Sequence, residues 1–347
     1  MKALVLEEYG RFEFKEMPLP EIGPGDVLVR IMACAVCGSD VHGMDGSTGR
    51  RRPPIIMGHE AAGIIEQVGS DVRGFAAGDR VTFDSTIYCG ECPHCQCGQI
   101  NLCGNRRVLG VSCEEYRMDG AFAEFASIPS RVLYKLPDSV TFRQAAMIEP
   151  LAVACHAVSL ARITSGAAVV VGCGTIGLMT AQLLRAEGFS PVIVSDVAEE
   201  KLELAASLGF EHRLNSSVEK LADAVLALTG GEGAAISIDA VGISASVMDA
   251  ISSLRKGGEC VLVGNIQPSV TIPLQQVVTK QLTLFGSCAS AGEYPQCLSL
   301  IAEGKVDVDR LISKSVPLSK GNEWIQRLYR REAGLYKVVL LPGEEES

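Results

Sequence analysis

The sequence has no excess of positive charge. Lys and Arg total 31 against 41 Asp and Glu, a formal charge of −10. A protein that holds nucleic acid without regard to sequence needs a basic face to displace counterions, so this balance argues against that class and no nucleic-acid partner is expected. Long apolar runs are also missing. None approaches the roughly 18 uninterrupted residues that cross a bilayer, and the best stretch, AAVVVGCGTIGLM, is broken by three glycines. No apolar leader follows MKALVLEEYG, and an odd count of 13 cysteines in a 347-residue chain is a poor disulfide framework. The expected setting is a reducing cytoplasm without membrane contact. There, clustered cysteines more often hold metal. Fixed-period repeats and low-complexity tracts are absent as well, and the closing Gly343-Glu-Glu-Glu-Ser347 reads as a frayed acidic tail.

What is present suits about two domains. Residues 1–150 read as short strands, among them Val27–Met32, Ala62–Val68 and Arg80–Phe83, separated by Gly-Pro-Gly, Gly-Ser-Asp and Ala-Gly-Asp turns. From about Met147 the pattern changes. Helix-compatible stretches (Leu151–Leu160, Leu178–Glu187, Glu199–Leu208) alternate with short apolar runs (Ala168–Val171, Val192–Val194, Ile236–Ile238, Cys260–Val263). Such alternation predicts an α/β domain, a parallel sheet with helices on both faces. After about Ser287 the alternation fades, and Tyr336–Leu341 reads as a last strand whose domain the pattern does not assign.

Gly172-Cys-Gly174-Thr-Ile-Gly177 follows a strand and opens a helix. In that context the first glycine serves the tight turn, the second the approach of a pyrophosphate and the third helix packing. The pyrophosphate would rest on the helix N-terminus. Asp196, about 20 residues beyond Gly177 and at the end of the next strand, suits the ribose hydroxyls and repels a 2′-phosphate, which selects NAD. Lys201 is a nearby cation that works against this choice.

Two cysteine patterns point to metal. Cys89, Cys92, Cys95 and Cys103 form C-x2-C-x2-C-x7-C, a compact set able to close a tetrahedral structural Zn²⁺ site. Iron–sulfur centres also use four thiolates, so spacing alone leaves the metal open. Cys97 and His94 lie in the same lobe and are left outside the ligand set. The second pattern is dispersed: Cys37-Gly-Ser39-Asp-Val-His42, then Gly58-His59-Glu60, then Glu149-Pro150. Cys, His and carboxylate suit a zinc that keeps one position for substrate.

In this order, and together with Asp119-Gly-Ala-Phe-Ala-Glu124, these motifs resemble the zinc-dependent medium-chain dehydrogenases/reductases over essentially the whole chain, most closely their polyol branch. The resemblance implies a GroES-like β-barrel catalytic domain from residues 1–150 and 290–347, carrying the structural zinc lobe at about 89–103, around a Rossmann NAD-binding domain at 151–289. It implies two zincs per chain, with Cys37 and His59 on the catalytic one and Glu60 and Glu149 sharing the next position. In the alcohol dehydrogenases proper a cysteine stands near the place of Glu149. Ser39 occupies the position that takes the alcohol proton, and His42 that of the relay histidine, with nothing chemical assigned to the Asp40-Val41 pair between them. Zinc as a Lewis acid and hydride transfer to the nicotinamide would complete the oxidation of an alcohol or polyol. A homodimer or homotetramer is also implied.

Val263 and Gly264 end a later strand at the carboxyl edge and are expected to line the nicotinamide through backbone contacts. Lys337 is either a surface lysine or one that faces cofactor phosphates. The loop Arg50-Arg51-Arg52 is either solvated or a clamp for an anionic substrate. His156 reads as packing and His212 as a loop residue. The sorbitol enzymes commonly carry an aromatic where this chain has Gly43-Met44, and an Arg-aromatic pair where it has Gly286–Ser290. Three functions therefore stay open: a secondary-alcohol or polyol dehydrogenase, a threonine-type amino-alcohol dehydrogenase, and a zinc-module redox sensor on nucleic acid, which the charge disfavours.

Overall fold

A computed structural model describes residues 1–111 and 118–344. Cys113 and the last three residues of the expected acidic tail lie outside this range. The chain divides into two compact units, Met1–Glu149 with Tyr294–Ala302 and Ile312–Ser347, and Pro150–Glu293 with Glu303–Leu311.

The second unit is built on runs rich in Val, Ile and Ala. Ala168–Val171, Val192–Asp196 and Ala234–Asp239 are buried at every position, as strands covered on both faces must be. With His212–Asn215, Leu254–Leu262 and Thr283–Gly286 they form one six-stranded parallel sheet. Numbered within the unit, the strand order is 3-2-1-4-5-6. The order reverses between Ala168–Val171 and Ala234–Asp239, which is where a doubly wound sheet opens its ligand crevice. His212 begins the edge strand rather than a loop.

The first strand turns into helix Thr175–Ala186 at Gly172. A Cβ on Gly177 would stand 1.7 Å from the Gly172 carbonyl oxygen, so the helix approaches the turn only because residue 177 has no side chain. We predict that Gly177→Ala forces helix and strand apart. Denaturant unfolding should show a loss of about 1–3 kcal/mol with weakened dinucleotide binding; an unchanged midpoint would contradict this packing.

In the first unit, the ten-residue strand Asp26–Ala35 organises the main sheet. It pairs antiparallel with Glu60–Val68 and Phe125–Pro129, and its end pairs with the C-terminal strand Val338–Leu341. Ala35 thus faces Glu60 on one side and Val339 on the other. This register brings residue 337 beside residue 60. The region where the sequence pattern faded holds two helices, Tyr294–Ala302 and Gly321–Tyr329, and the strand Lys314–Pro317. Residues 303–311, expected with the first domain, belong to the second unit. Val306, Val308 and Leu311 are buried there, and the Gln182 amide bonds the Asp307 backbone in both directions, at 3.2 and 2.8 Å.

Candidate active site

Helix Gly38–Gly43 begins at Cys37, whose thiol serves as its cap. The Sγ accepts from the Ser39 amide at 3.4 Å and the Ser39 hydroxyl at 3.3 Å. His59 is delivered from another direction. Gly58 before it has φ +91°, and a Cβ there would sit 2.4 Å from the Phe122 ring, so the chain passes under that ring only as glycine. Cys37, His59 and Glu60 then place one donor atom each within 4.8 Å of one another. Cys37 is half-buried, His59 and Glu60 are buried, and Ser39 and His42, both on helix Gly38–Gly43, are exposed. The exposed Ser39 hydroxyl touches the cluster at Cys37 Sγ.

The charges around this cluster favour a cation. Burial alone would pull the His59 pKa down, but the Asp40 carboxylate and the Cys37 thiolate outweigh it and raise it well above the usual histidine value. His59 Nδ1 lies 3.4 Å from Asp40 Oδ1. At that distance Nδ1 makes no hydrogen bond and the contact is electrostatic, so the imidazole stands between a carboxylate and a thiolate, a charge setting that suits a zinc ligand. Asp40 is fully buried and also meets Arg51 Nη2 at 3.1 Å. Asp40, expected to carry no chemistry, is the buried carboxylate whose charge faces His59.

Glu60 is gripped by Lys337, whose Nζ donates to its two carboxylate oxygens at 2.6 and 3.0 Å and to the Val36 carbonyl at 3.2 Å. Lys337 is 3% exposed. It is neither a surface lysine nor a group turned outward to phosphates. Burial works against its charge, but Glu60 and Cys37 prevail and raise its pKa. Glu149 is not within the tight three-donor group. It accepts from the Ser85 hydroxyl at 3.0 Å, and burial raises its pKa while His59 draws it back and Glu60 adds to the rise. The basic loop splits: Arg50 and Arg52 are exposed, whereas Arg51 is turned inward and buried. Arg51 is therefore not part of a clamp at the surface.

The thiolate lobe is separate from this cluster. Cys89, Cys92, Cys95 and Cys103 form the other group of three or more such donors among the described residues. Their sulfurs stand 3.5 Å (Cys92–Cys95), 3.5 Å (Cys103–Cys89) and 3.9 Å (Cys89–Cys95) apart. A tetrahedron with Zn–S of about 2.3 Å has edges of about 3.8 Å, so the lobe fits a single ion and is too tight for a cluster of several irons. Backbone N–H groups of Glu91 and Cys92 lower the Cys89 pKa to about 6, favouring the thiolate that a metal needs. Cys97 is exposed and outside the set, and His94 Nδ1 lies 3.2 Å from Gln99 Oε1.

In the second unit, helix Thr175–Ala186 starts at Gly174 with no side chain capping its N-terminus. A Cβ on Gly174 would meet nothing within 4 Å. Open space before uncapped amides is what a pyrophosphate requires. Asp196, 7% exposed, accepts from the Cys173 amide at 2.8 Å, which ties the acid to the glycine turn. Lys201 Nζ is 3.4 Å from the same carboxylate. Val263 and Gly264 both donate their amides to the Asp239 carbonyl, at 2.9 and 3.0 Å, leaving other backbone atoms for any ligand. His156 is held by Glu293 at 2.7 Å.

These features define a class, the oxidoreductases that couple a dinucleotide to a zinc centre. Comparison with known proteins agrees. The profile of the alcohol dehydrogenase GroES-like domain matches residues 23–138, and that of zinc-binding dehydrogenases matches residues 175–303. L-idonate 5-dehydrogenase of Vitis vinifera is 36% identical over 87% of this chain and 84% of its own. D-xylulose reductase A of Aspergillus niger is 36% identical over 90% of this chain and 88% of its own. A solved zinc-binding dehydrogenase of Sinorhizobium meliloti 1021, bound to NADP, superposes with a TM-score of 0.89 at 33% identity, covering 98% of this chain and 99% of that one. The chain belongs to the zinc-containing medium-chain dehydrogenases. It is a zinc-dependent alcohol or polyol dehydrogenase that acts on CH–OH groups with NAD(P), with a structural four-cysteine site, a Cys/His/Glu catalytic site, a GroES-like domain and a Rossmann domain. No helix among the described residues is long and apolar enough to cross a membrane.

Proposed function

We propose that the protein oxidises a secondary alcohol, a polyol or polyol phosphate, to a ketone by hydride transfer to NAD. The observation that carries this reading is the Cys37, His59 and Glu60 cluster, with the exposed Ser39 hydroxyl bonded to Cys37 Sγ. In this reading Cys37, His59 and Glu60 hold the catalytic zinc, with Glu149 as the exchanging carboxylate, and Cys89, Cys92, Cys95 and Cys103 hold the structural one. Zinc supplies a Lewis acid that acidifies a substrate hydroxyl, and NAD supplies the hydride acceptor. Ser39 takes the hydroxyl proton and His42 passes it to solvent. Gly172, Gly174 and Gly177 shape the pyrophosphate seat, while Val263 and Gly264 line the nicotinamide.

Asp196 supports NAD over NADP. It is fixed by the Cys173 amide, and Lys201 pairs with it instead of standing as an independent cation for a 2′-phosphate. Two relatives named for idonate and xylulose chemistry support a polyhydroxylated substrate. Arg50 and Arg52 remain the exposed cations for a phosphorylated one.

The test is NADH formation across neutral polyols, polyol phosphates, threonine and simple secondary alcohols, with NAD and NADP in parallel. The expected result is the highest kcat/KM on a polyol or polyol phosphate. NAD should exceed NADP by at least about tenfold, equivalent to about 1.4 kcal/mol of carboxylate–phosphate repulsion. Threonine as the best substrate, or NADP as the better cofactor, would overturn the corresponding part.

A further inference from the structure

Arg51 lies within the cluster although it follows His42 by a loop. Its side chain is 3% exposed, and Nη2 reaches two acceptors on helix Gly38–Gly43: Asp40 Oδ1 at 3.1 Å and Ser39 Oγ at 3.4 Å. Asp40 Oδ1 is also the atom 3.4 Å from His59 Nδ1. One guanidinium nitrogen therefore joins the serine that touches Cys37 to the carboxylate that faces a zinc-ligand candidate. Its Nε is buried without a hydrogen-bond partner. A second observation explains how it enters. A Cβ on Gly43 would stand 2.9 Å from Arg51 Cγ, so the glycine after His42 leaves room for the arginine stem.

We propose that Arg51 is a positioning residue for proton exchange, fixing the Ser39 hydroxyl and the Asp40 carboxylate together, and that Gly43 is the residue that admits it. This rests on the reading of Ser39 as the group that receives the substrate proton. In that step the substrate O–H bond breaks, a new O–H bond forms at Ser39 Oγ, and the proton already on Ser39 leaves toward His42 or solvent. A guanidinium has five donors and no acceptor, so Arg51 takes no proton itself. It steadies the oxygen through which the proton passes and keeps Asp40 from turning away from His59.

The test uses the zinc-loaded enzyme and the variants Arg51→Ala, Arg51→Lys, Gly43→Ala, Ser39→Ala and Ser39→Ala/Arg51→Ala. Arg51→Ala should lower kcat about 10- to 100-fold, within the range of lost support for a proton transfer, with KM for NAD unchanged, two zincs retained and partial rescue by added guanidinium. Gly43→Ala should reproduce part of the loss by crowding Arg51, and serves if Arg51→Ala folds poorly. In the Ser39→Ala background Arg51→Ala should cost clearly less than in the wild type, the remainder reflecting its contact with Asp40. In metal-free protein, amide exchange across Gly38–Gly43 should quicken in Arg51→Ala. Loss of the catalytic zinc, or an equal loss of rate with and without Ser39, would make Arg51 a scaffold residue and overturn the proposal. Full activity in Ser39→Ala would overturn the reading of Ser39 first, while an impaired Ser39→Ala beside an unaffected Arg51→Ala would overturn the role of Arg51 alone.

Discussion

His59→Ala should leave a folded protein with one zinc per chain in place of two and a kcat/KM lower by about three orders of magnitude or more. His59 provides one of three donors gathered within 4.8 Å, and two donors, a thiolate and a carboxylate already engaged by Lys337, are too few to hold the ion. Lewis-acid stabilisation amounts to several kcal/mol, and each 1.36 kcal/mol is a tenfold change in rate. The fold should persist because Asp40 keeps its 3.1 Å pair with Arg51 when the imidazole is removed, so no buried carboxylate is left alone. The thiolate lobe should keep its zinc, since its four sulfurs share no residue with this cluster. Metal analysis beside NADH-formation kinetics checks both statements. Two zincs with full activity in the variant would remove His59 from the site.

The zinc lobe and the glycine turn were legible because their chemistry is local. C-x2-C-x2-C places three sulfurs on one short loop, and Gly172, Gly174 and Gly177 act on a single strand–turn–helix junction. The dispersed site was legible only as residue types in order. What the sequence could not show was which partners hold those residues. Lys337 and Glu60 are 277 positions apart, and they meet because Ala35 pairs with both Glu60 and Val339 across a sheet. Neither strand carries that register in its own pattern. Arg51 was hidden differently. Three consecutive arginines look alike in sequence, and only the space above Gly43 turns the middle one inward. Asp40 was overlooked for a similar reason: an acid between two candidate catalytic residues reads as helical surface until its burial is seen. In the last third, Tyr294–Ala302 and Lys314–Pro317 return to the first unit while 303–311 remains with the second, and so short an exchange leaves no break in composition.

The Lys337–Glu60 pair yields the second large prediction. Each member is almost wholly buried, 4% and 1% by side chain, at 2.6 Å. Desolvating two charges is costly, and a buried pair as a whole contributes little net stability over an apolar replacement. Breaking it from one side is another matter. Lys337→Met removes the ammonium and leaves Glu60 as a buried carboxylate facing Glu149, whose pKa Glu60 already raises. The expected loss is about 3–5 kcal/mol in denaturant unfolding of the zinc-free protein, where no metal ion shares the charge of Glu60. Glu60→Gln alone should cost less, because Lys337 keeps the Val36 carbonyl at 3.2 Å and the amide oxygen as acceptors. The double variant Lys337→Met/Glu60→Gln should recover much of the loss, since no unpaired charge remains. A double variant destabilised by the sum of the two single effects would show that the ammonium and the carboxylate act independently, and Lys337 would then matter for its packing against Val36 and not for holding Glu60 beside Cys37 and His59.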